Sequence, residues 1–94
     1  VSKNKDLELI ECYSNQLSSL DVSNNTVLRK LYCHSNQLSS LDVSKNKDLE
    51  LIECNSNQLT SLDLTSNTKL TSLYCDEAVT VKGYTGYRAI SNRN

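Results

Sequence analysis

The chain has 94 residues, a formal net charge of −1 and an apolar fraction of 37%, so it can form one domain with a modest globular core. A charge this close to zero provides no basic surface for nucleic acid. The absence of any run of 18 or more apolar residues argues against membrane insertion. The sequence opens within a repeat and shows no signal-peptide pattern, so we expect a fragment of a longer protein or a processed product.

A 21-residue repeat covers about four fifths of the chain. The stretch "CYSNQLSSLDVSNN", which begins at Cys12, returns as "CHSNQLSSLDVSKN" at Cys33 and as "CNSNQLTSLDLTSN" at Cys54. Each repeat contains two similar halves with the pattern L-x-x-L-x-(C/V/L)-x-x-N. Self-similarity at a fixed period is the mark of a solenoid, in which successive repeats stack on one another.

Each 21-residue repeat is long enough to form one complete coil of the solenoid. Its contour is about 70 Å, which is enough for two short strands that face each other across a leucine-filled interior, and stacked coils would then form two parallel sheets. Helix is the alternative, because leucines three residues apart also suit a helix face. The many Ser, Asn and Asp residues compete with helical backbone bonding, so we predict little or no helix.

The strand alternation predicts which side chains point inward and which point outward. The predicted inward positions in one coil are Leu28, Leu31, Cys33, Leu38, Leu41, Val43 and Leu49. The predicted outward positions are Lys30, Tyr32, Ser40 and Asp42.

The segment "LELIECYSNQLSSLDVSNNTVL" resembles a leucine-rich repeat, and its nested 21-residue period is similar to the bacterial IRREKO type. The resemblance implies a right-handed solenoid over residues 1–77, with a partial first coil at 1–14 and coils at 15–35, 36–56 and 57–77. It also implies a protein-binding module of a larger secreted or cell-surface bacterial protein, and hence an extracellular or cell-surface location. It implies no cofactor.

The repeat pattern stops at Ala78, where the next asparagine would fall. The tail "AVTVKGYTGY" alternates small, β-branched and aromatic residues, and Gly83 and Gly86 mark turns. A solenoid must cover its last open coil, so residues 78–94 are predicted to form a strand-rich cap or the start of a following module. The N-terminal coil has no evident cap, which predicts a preceding domain or end-to-end self-association there.

The four cysteines fall 21 residues apart, at the positions that Val22, Val43 and Leu64 take in the sister half-repeats. A disulfide framework or a zinc site is the alternative, but the close C-x-x-C pairs typical of zinc sites are missing. Stacked strands would also hold the cysteine side chains parallel, which is unsuitable for a disulfide. We therefore predict a ladder of reduced core thiols at Cys12, Cys33, Cys54 and Cys75.

The asparagines and aspartates also form columns. Asparagine amides at the turns are predicted to bond backbone groups of their own coil and the next coil, in two ladders: Asn15, Asn36 and Asn57, and Asn25, Asn46 and Asn67. The carboxylates of Asp21, Asp42 and Asp63 point outward. A solvated, hydrogen-bonded column is our main interpretation, and calcium binding is the weaker alternative, because each coil offers a single carboxylate.

The outward positions of the first half-repeat vary between coils, whereas those of the second half are nearly constant. Constant positions are those that stacking requires, so the varied ones are candidates for partner contact. These are Leu9, Glu11, Tyr13, Lys30, Tyr32, His34, Leu51, Glu53 and Tyr74. The alternative interpretation is that these side chains only solvate the sheet and pack between columns.

The sequence thus predicts a non-enzymatic module that binds a protein partner and needs no metal or cofactor. A narrow, filled solenoid offers no pocket in which an acid, a base or a nucleophile would converge. One alternative is a purely structural spacer or display arm. Another is an ice- or glycan-binding surface on the regular Ser and Asp face, although charged aspartates disfavour ice binding.

Overall fold

A computed structural model describes residue 6, residues 8–86 and the backbone of residues 88–90. Within these residues it shows seven short strands and no helix: β1 Leu9–Glu11, β2 Lys30–Tyr32, β3 Leu51–Glu53, β4 Ser61–Asp63, β5 Ser72–Cys75, β6 Thr80–Lys82 and β7 Arg88–Ile90. The described part of the chain therefore contains no helix long and apolar enough to cross a membrane. The fold is a β-solenoid of about four turns, as the repeat predicts.

One sheet has five parallel strands in the order β1-β2-β3-β5-β7. From β1 to β5 its register advances by one repeat per strand, because Ile10 pairs with Leu31, Leu31 with Ile52, and Ile52 with Leu73. These central residues are buried, whereas their neighbours on each strand point outward. The period-two alternation of strands thus gives each coil one core residue and two outward residues here.

The second face carries a shorter ladder than the first. Its two-stranded sheet joins β4 to β6, in parallel. In the described residues, the equivalent "SLD" segments of the two preceding coils form no strand. Serine and aspartate have low strand propensity, whereas the β4–β6 pair gains the β-branched Thr80 and Val81 and sets Lys82 opposite Asp63. Both predicted faces exist, but the ladder on the second face is limited to β4 and β6.

A continuous apolar core lies between the two faces. Burial of one leucine side chain contributes about 1.5–3 kcal/mol, so the repeated leucines supply the main driving force. The predicted inward positions are all part of this core. Its buried members are Ile10, Val22, Leu28, Leu31, Cys33, Leu38, Leu41, Val43, Leu49, Ile52, Cys54, Leu59, Leu62, Leu64, Leu70, Leu73, Cys75 and Val79.

Buried asparagines join the turns of adjacent coils. The Asn46 amide nitrogen donates to the carbonyl of Val22 at 2.9 Å and to that of Asn25 at 2.8 Å, both in the preceding coil. Asn67 repeats the arrangement with Val43 at 3.0 Å and Asn46 at 2.9 Å. Each of these carbonyls also accepts a backbone N–H within its own turn, so the asparagine of the next coil supplies its second hydrogen bond.

The tail continues both sheets, but with a shorter coil. Thr80 pairs with Ser61 and Arg88 pairs with Leu73. The sequence separation between the paired residues is therefore shorter than the 21 residues of one repeat. Gly83 has a φ of 85°, and a Cβ there would lie 2.5 Å from the Thr65 Cγ2 atom and 2.8 Å from its Cα. Only glycine fits this close approach. Of the predicted solenoid and tail segments, residues 1–5, 7, 87 and 91–94 lie outside the described residues.

Replacement of Asn46 by alanine is expected to destabilise the solenoid by about 1–3 kcal/mol, because the carbonyls of Val22 and Asn25 each lose the hydrogen bond from the neighbouring coil and keep only the one within their own turn. The measurement is urea unfolding followed by circular dichroism. The matched control is Asn24→Ala in the equivalent turn of the preceding coil, where the side chain is exposed and a change within about 0.5 kcal/mol is expected. Equal unfolding midpoints for the two variants would show that the asparagine bonds do not stabilise the stack.

Replacement of Gly83 by alanine is expected to lower stability by about 1–3 kcal/mol, since it adds left-handed strain and a clash with the Thr65 backbone. Limited proteolysis should then cut the tail faster. Gly86→Ala is the control, because its added Cβ would meet only the movable end of the Tyr84 side chain, with the hydroxyl at 2.8 Å. If both variants resist the protease as the wild type does, the tail does not depend on this contact.

Candidate binding surface

The five-stranded sheet brings the nine predicted partner-contact residues onto one surface, which we call the variable face: Leu9, Glu11, Tyr13, Lys30, Tyr32, His34, Leu51, Glu53 and Tyr74. Their arrangement follows from the register. Leu9, Lys30 and Leu51 form one column, and the residues two positions further along the same strands form the next. Tyr13 and His34 follow β1 and β2 at their carboxyl ends.

Large apolar side chains are exposed on the variable face. Leu9 is 44% exposed, Tyr13 46% and Tyr74 39%. Leu51 and Tyr32 are half-buried between their column neighbours. The variable face therefore has both half-buried side chains and exposed apolar side chains, a combination that is typical of protein-binding surfaces.

Two aromatic rings stack at the strand ends. The Tyr13 and His34 ring centroids are 4.9 Å apart and their planes differ by 6°. His34 Nδ1 lies 3.2 Å from Ser35 Oγ, and its Nε2 lies 3.7 Å from a carboxylate oxygen of Glu53. The His34 ring is thus held on three sides, and it forms an ion pair with Glu53 only when it is protonated.

The turn after each strand explains why these rings align. Ser14, Ser35 and Ser56 all have left-handed backbone, with φ between 59° and 61°. The N–H groups of Ser14 and Ser35 donate to the carbonyls of His34 and Asn55 in the following coil, each at 3.0 Å. These bonds stack the turns in register, so the side chains that precede them form a regular column. Sequence reasoning missed this conformation, although the recurring Ser-Asn pair is its signal.

The last of these turns ends differently. Ser56 N–H donates to the Asp76 carboxylate, at 2.9 and 3.0 Å to its two oxygens, in place of the carbonyl used by the earlier coils. An aspartate side chain therefore completes this hydrogen-bond column where the chain departs from the repeat.

Charges at the other edge of the variable face neutralise one another. Arg29 donates from Nε to Glu50 Oε2 at 3.0 Å and from Nη2 to Glu50 Oε1 at 3.2 Å, and its Nη1 lies 3.6 Å from Glu8 Oε1. The hydrogen bond from Arg29 lowers the pKa of Glu50, and the charge of Lys30 adds to the effect. These groups are exposed, so solvent screens each pair and the pairs stabilise the fold little.

The cysteine column lies on the inner side of the same sheet. All four residues are thiols rather than disulfides; Cys33, Cys54 and Cys75 are buried and Cys12 is half-buried. Burial raises the pKa of the Cys33 thiol from 9.0 to about 12 and also raises that of Cys12. The Cys33 and Cys12 thiols therefore stay protonated near neutral pH, and a protonated thiol is a poor nucleophile.

The asparagines beneath the variable face bond in two directions. The Asn36 amide nitrogen donates to the carbonyls of Cys33 at 3.1 Å and Cys12 at 3.0 Å, and its oxygen accepts from the N–H groups of Asn15 and Leu17 at 3.1 and 3.2 Å. Asn57 donates to the equivalent carbonyls one coil further on. Each asparagine therefore fixes the strand end next to it.

The aspartate column on the second face satisfies itself locally. Asp21 accepts from the Ser23 hydroxyl at 2.6 Å and from the Ser23 N–H at 2.9 Å, and these bonds lower the Asp21 pKa. Asp42 and Asp63 accept in the same way from Ser44 and Thr65. In the part of the chain that the structure describes, no group of three or more His, Cys, Asp or Glu side chains is positioned to hold a metal ion. The calcium alternative for this column therefore has no supporting ligand group among these residues.

Comparison with solved structures relates this geometry to a known bacterial protein. The functional domain of InlJ from Listeria monocytogenes superposes with a TM-score of 0.78 over 87% of this chain, at 31% sequence identity. The chain is similar to InlJ. It spans 22% of the length of that InlJ chain. InlJ is a leucine-rich-repeat protein, which agrees with the solenoid predicted from the repeats.

The InlJ domain includes a cysteine ladder, and stacked cysteines are also what this chain places at 12, 33, 54 and 75. No protein-family model and no curated protein matches the chain. The similarity to InlJ therefore rests on a shared solenoid and a shared type of core column.

Replacement of Cys33 by valine should reduce the loss of stability at alkaline pH. The folded state holds the Cys33 proton up to about pH 12 and the unfolded state only to 9.0, so this thiol contributes stability that is complete below pH 9 and lost on approach to 12. The expected difference grows by about 1.4 kcal/mol per pH unit above the unfolded pKa. Valine fills the same core position in the sister half-repeats, so stability at neutral pH should change little.

The measurement is urea unfolding of the wild type and Cys33→Val at several pH values above and below 9. Cys12→Val is the control, because Cys12 is half-buried and its pH effect should be smaller. Stability curves that stay parallel for wild type and Cys33→Val would contradict the role of Cys33 burial.

Proposed function

We propose that the chain is a non-enzymatic, protein-binding repeat module of a larger secreted or cell-surface bacterial protein, and that the variable face is its binding site. The observation that carries the proposal is the exposure of Leu9, Tyr13 and Tyr74 on a sheet that cross-coil hydrogen bonds hold in place. Exposed aromatic and aliphatic groups next to charges are the side chains that dominate binding energy at protein interfaces. The similarity to InlJ supports the repeat module, the bacterial origin and the extracellular location.

The second face is the weaker candidate for partner binding. Its outward positions repeat with little variation, and the aspartate oxygens already accept hydrogen bonds from their own turns. A surface of short, self-satisfied polar groups offers few anchors to a protein partner. We therefore assign recognition to the variable face and a structural role to the second face.

Catalysis forms no part of the proposal. Burial holds the Cys33 thiol in its protonated form, and the partly exposed His34 ring stacks on Tyr13 on the other side of the strand. No thiolate–imidazole pair therefore arises from these neighbouring residues, although cysteine catalysis requires one.

Two features of the architecture extend the proposal. We propose that the repeat is of the nested IRREKO type of leucine-rich repeat, which its two similar halves support. We also propose that residues 78–94 belong to a cap or to the start of a following module, which is supported by the shortened coil through which β6 and β7 continue the stack. The edge strand β1 is the surface for end-to-end association or for a preceding domain, because its outer edge has no neighbour among the described strands.

A structural spacer is the second candidate function. Four stacked thiols and two asparagine columns make neighbouring coils interlock along the solenoid axis, as a stiff display arm requires. A spacer would tolerate changes anywhere on its surface, whereas a binding module would not. The two candidates therefore differ in the effect of mutations on the variable face.

The test combines Tyr32→Ser with Leu51→Ser, which removes two half-buried side chains from the centre of the variable face. Ligands are first selected from a displayed protein library on the wild-type chain. The double variant should bind the selected ligands at least about tenfold more weakly, because central anchors each contribute about 1–2 kcal/mol. Binding is measured by surface plasmon resonance, and circular dichroism checks the fold.

The matched control is Ser19→Ala with Ser40→Ala, two exposed positions on the second face. These changes should leave the affinity within about twofold of wild type. If the control weakens binding and the Tyr32 and Leu51 variant does not, the binding site lies on the second face. If neither variant affects binding, or if no ligand can be selected, the spacer becomes the better account.

A further inference from the structure

Carboxylates and aromatic rings alternate along one column of the variable face. The parallel register places Tyr32 between Glu11 and Glu53, and Tyr74 on the other side of Glu53. Adjacent strands lie about 4.8 Å apart, so the two glutamates, two strands apart, are separated by about 9.6 Å along the solenoid axis. The column therefore presents two negative groups at a fixed spacing, each beside a tyrosine.

Among the side chains that the structure describes, the basic residues next to this column, Arg29 and Lys30, do not neutralise its negative charge. Arg29 is paired with Glu50 and lies near Glu8, and the positive charge of Lys30 helps to lower the pKa of Glu50. In the described residues Glu11 has no ion-pair partner, and the group that faces Glu53 is the His34 ring, at 3.7 Å. The surplus charge next to the aromatic rings favours a cationic ligand.

Arginine and lysine suit such a column for two reasons. Their cationic groups bind over the face of a tyrosine ring, and they also donate hydrogen bonds to a carboxylate. Arginine fits best, because its planar group can stack on the ring and donate in the same plane. A neutral or acidic segment would meet unpaired carboxylates instead.

We propose that the variable face recognises an extended, basic segment of a protein partner that carries arginine or lysine at every third position. The inference rests on the proposed function and adds the chemistry of the partner. A polyproline II segment advances about 3.1 Å per residue, so three residues span about 9.3 Å, close to the separation of Glu11 and Glu53. In a β-conformation three residues span about 9.9 Å, but their side chains point to opposite faces of the strand. Residues on one face of a strand are two apart, at about 6.6 Å, or four apart, at about 13 Å, and neither spacing matches the column.

The test uses three labelled peptides of identical composition in which two arginines are separated by one, two or three other residues. Fluorescence anisotropy with the full chain measures each dissociation constant. The peptide with two intervening residues should bind at least about fivefold more tightly than the others, since only its arginines meet both glutamates. Its affinity should fall as salt rises, because the contacts are exposed charges.

Variants identify the contacts. Glu11→Gln with Glu53→Gln should abolish the preference among the three spacings. Glu8→Gln is the matched control, because this exposed glutamate lies outside the column, and it should leave the preference unchanged. Tyr32→Phe should bind as the wild type does, whereas Tyr32→Leu should bind about three- to fivefold more weakly, since phenylalanine keeps the aromatic face and leucine does not.

Equal affinity for the three peptides would overturn the inference. The inference would also fail if the double glutamine variant kept the wild-type preference for the peptide with two intervening residues. Failure of the inference is distinguishable from failure of the proposed function. The selected ligands could be neutral or acidic and still fail to bind the Tyr32 and Leu51 variant. The variable face would then remain a protein-binding site, but its partner would not be a basic segment. Selected ligands whose binding is unaffected by that variant would instead contradict the assignment of function to this face.

Discussion

The structure depends on one constraint: the backbone polar groups buried at the turns of each coil must find partners in the neighbouring coil. Each turn makes part of this bonding itself, since the Asn25 N–H donates to the Val22 carbonyl, and the neighbouring coil supplies the rest. Here the Asn36 amide joins four backbone groups from two coils, and Asn46 donates to two carbonyls of the coil before it. Because the same atoms must meet at every step, a change in coil length would break all these bonds, and the period stays at 21.

This constraint also separates the positions that function can use from those it cannot. The core leucines, the cysteines and the asparagines are fixed by stacking, so they are the same or nearly the same in every coil. Outward side chains of the first sheet lie outside the packed core, and they vary from Leu9 to Lys30 to Leu51. Variation within one chain therefore marks the surface on which changes carry little structural cost. The same reasoning explains the cysteines: they occupy core positions that packing requires.

The repeat alone predicts the solenoid, its core and the columns, because one period determines all three. The stacking of Tyr13 on His34 was not predictable, since it depends on left-handed turns at Ser14 and Ser35 that the pattern contains but does not reveal. The second face has few strands because its Ser and Asp residues are weak strand formers. Among the described residues, they pair only where a better strand former, Thr80 to Lys82, follows the repeat. The Asp76 contact and the Gly83 approach to Thr65 arise where the pattern ends, and a periodic argument has no information there.

The scaffold also determines how such a surface can bind. An exposed ion pair or cation–aromatic contact is worth at most about 1 kcal/mol, so a single Glu11 or Tyr32 contact cannot hold a partner. When the ligand groups have the same spacing as the surface groups, the contacts add to one another. The entropic cost of ordering the ligand is then met once for all of them. The turn bonds keep Glu11, Tyr32 and Glu53 in register without a partner, so the protein side is already ordered. Affinity on such a face then rises with the number of coils engaged, which is the property that distinguishes a repeat module from a compact domain of similar size.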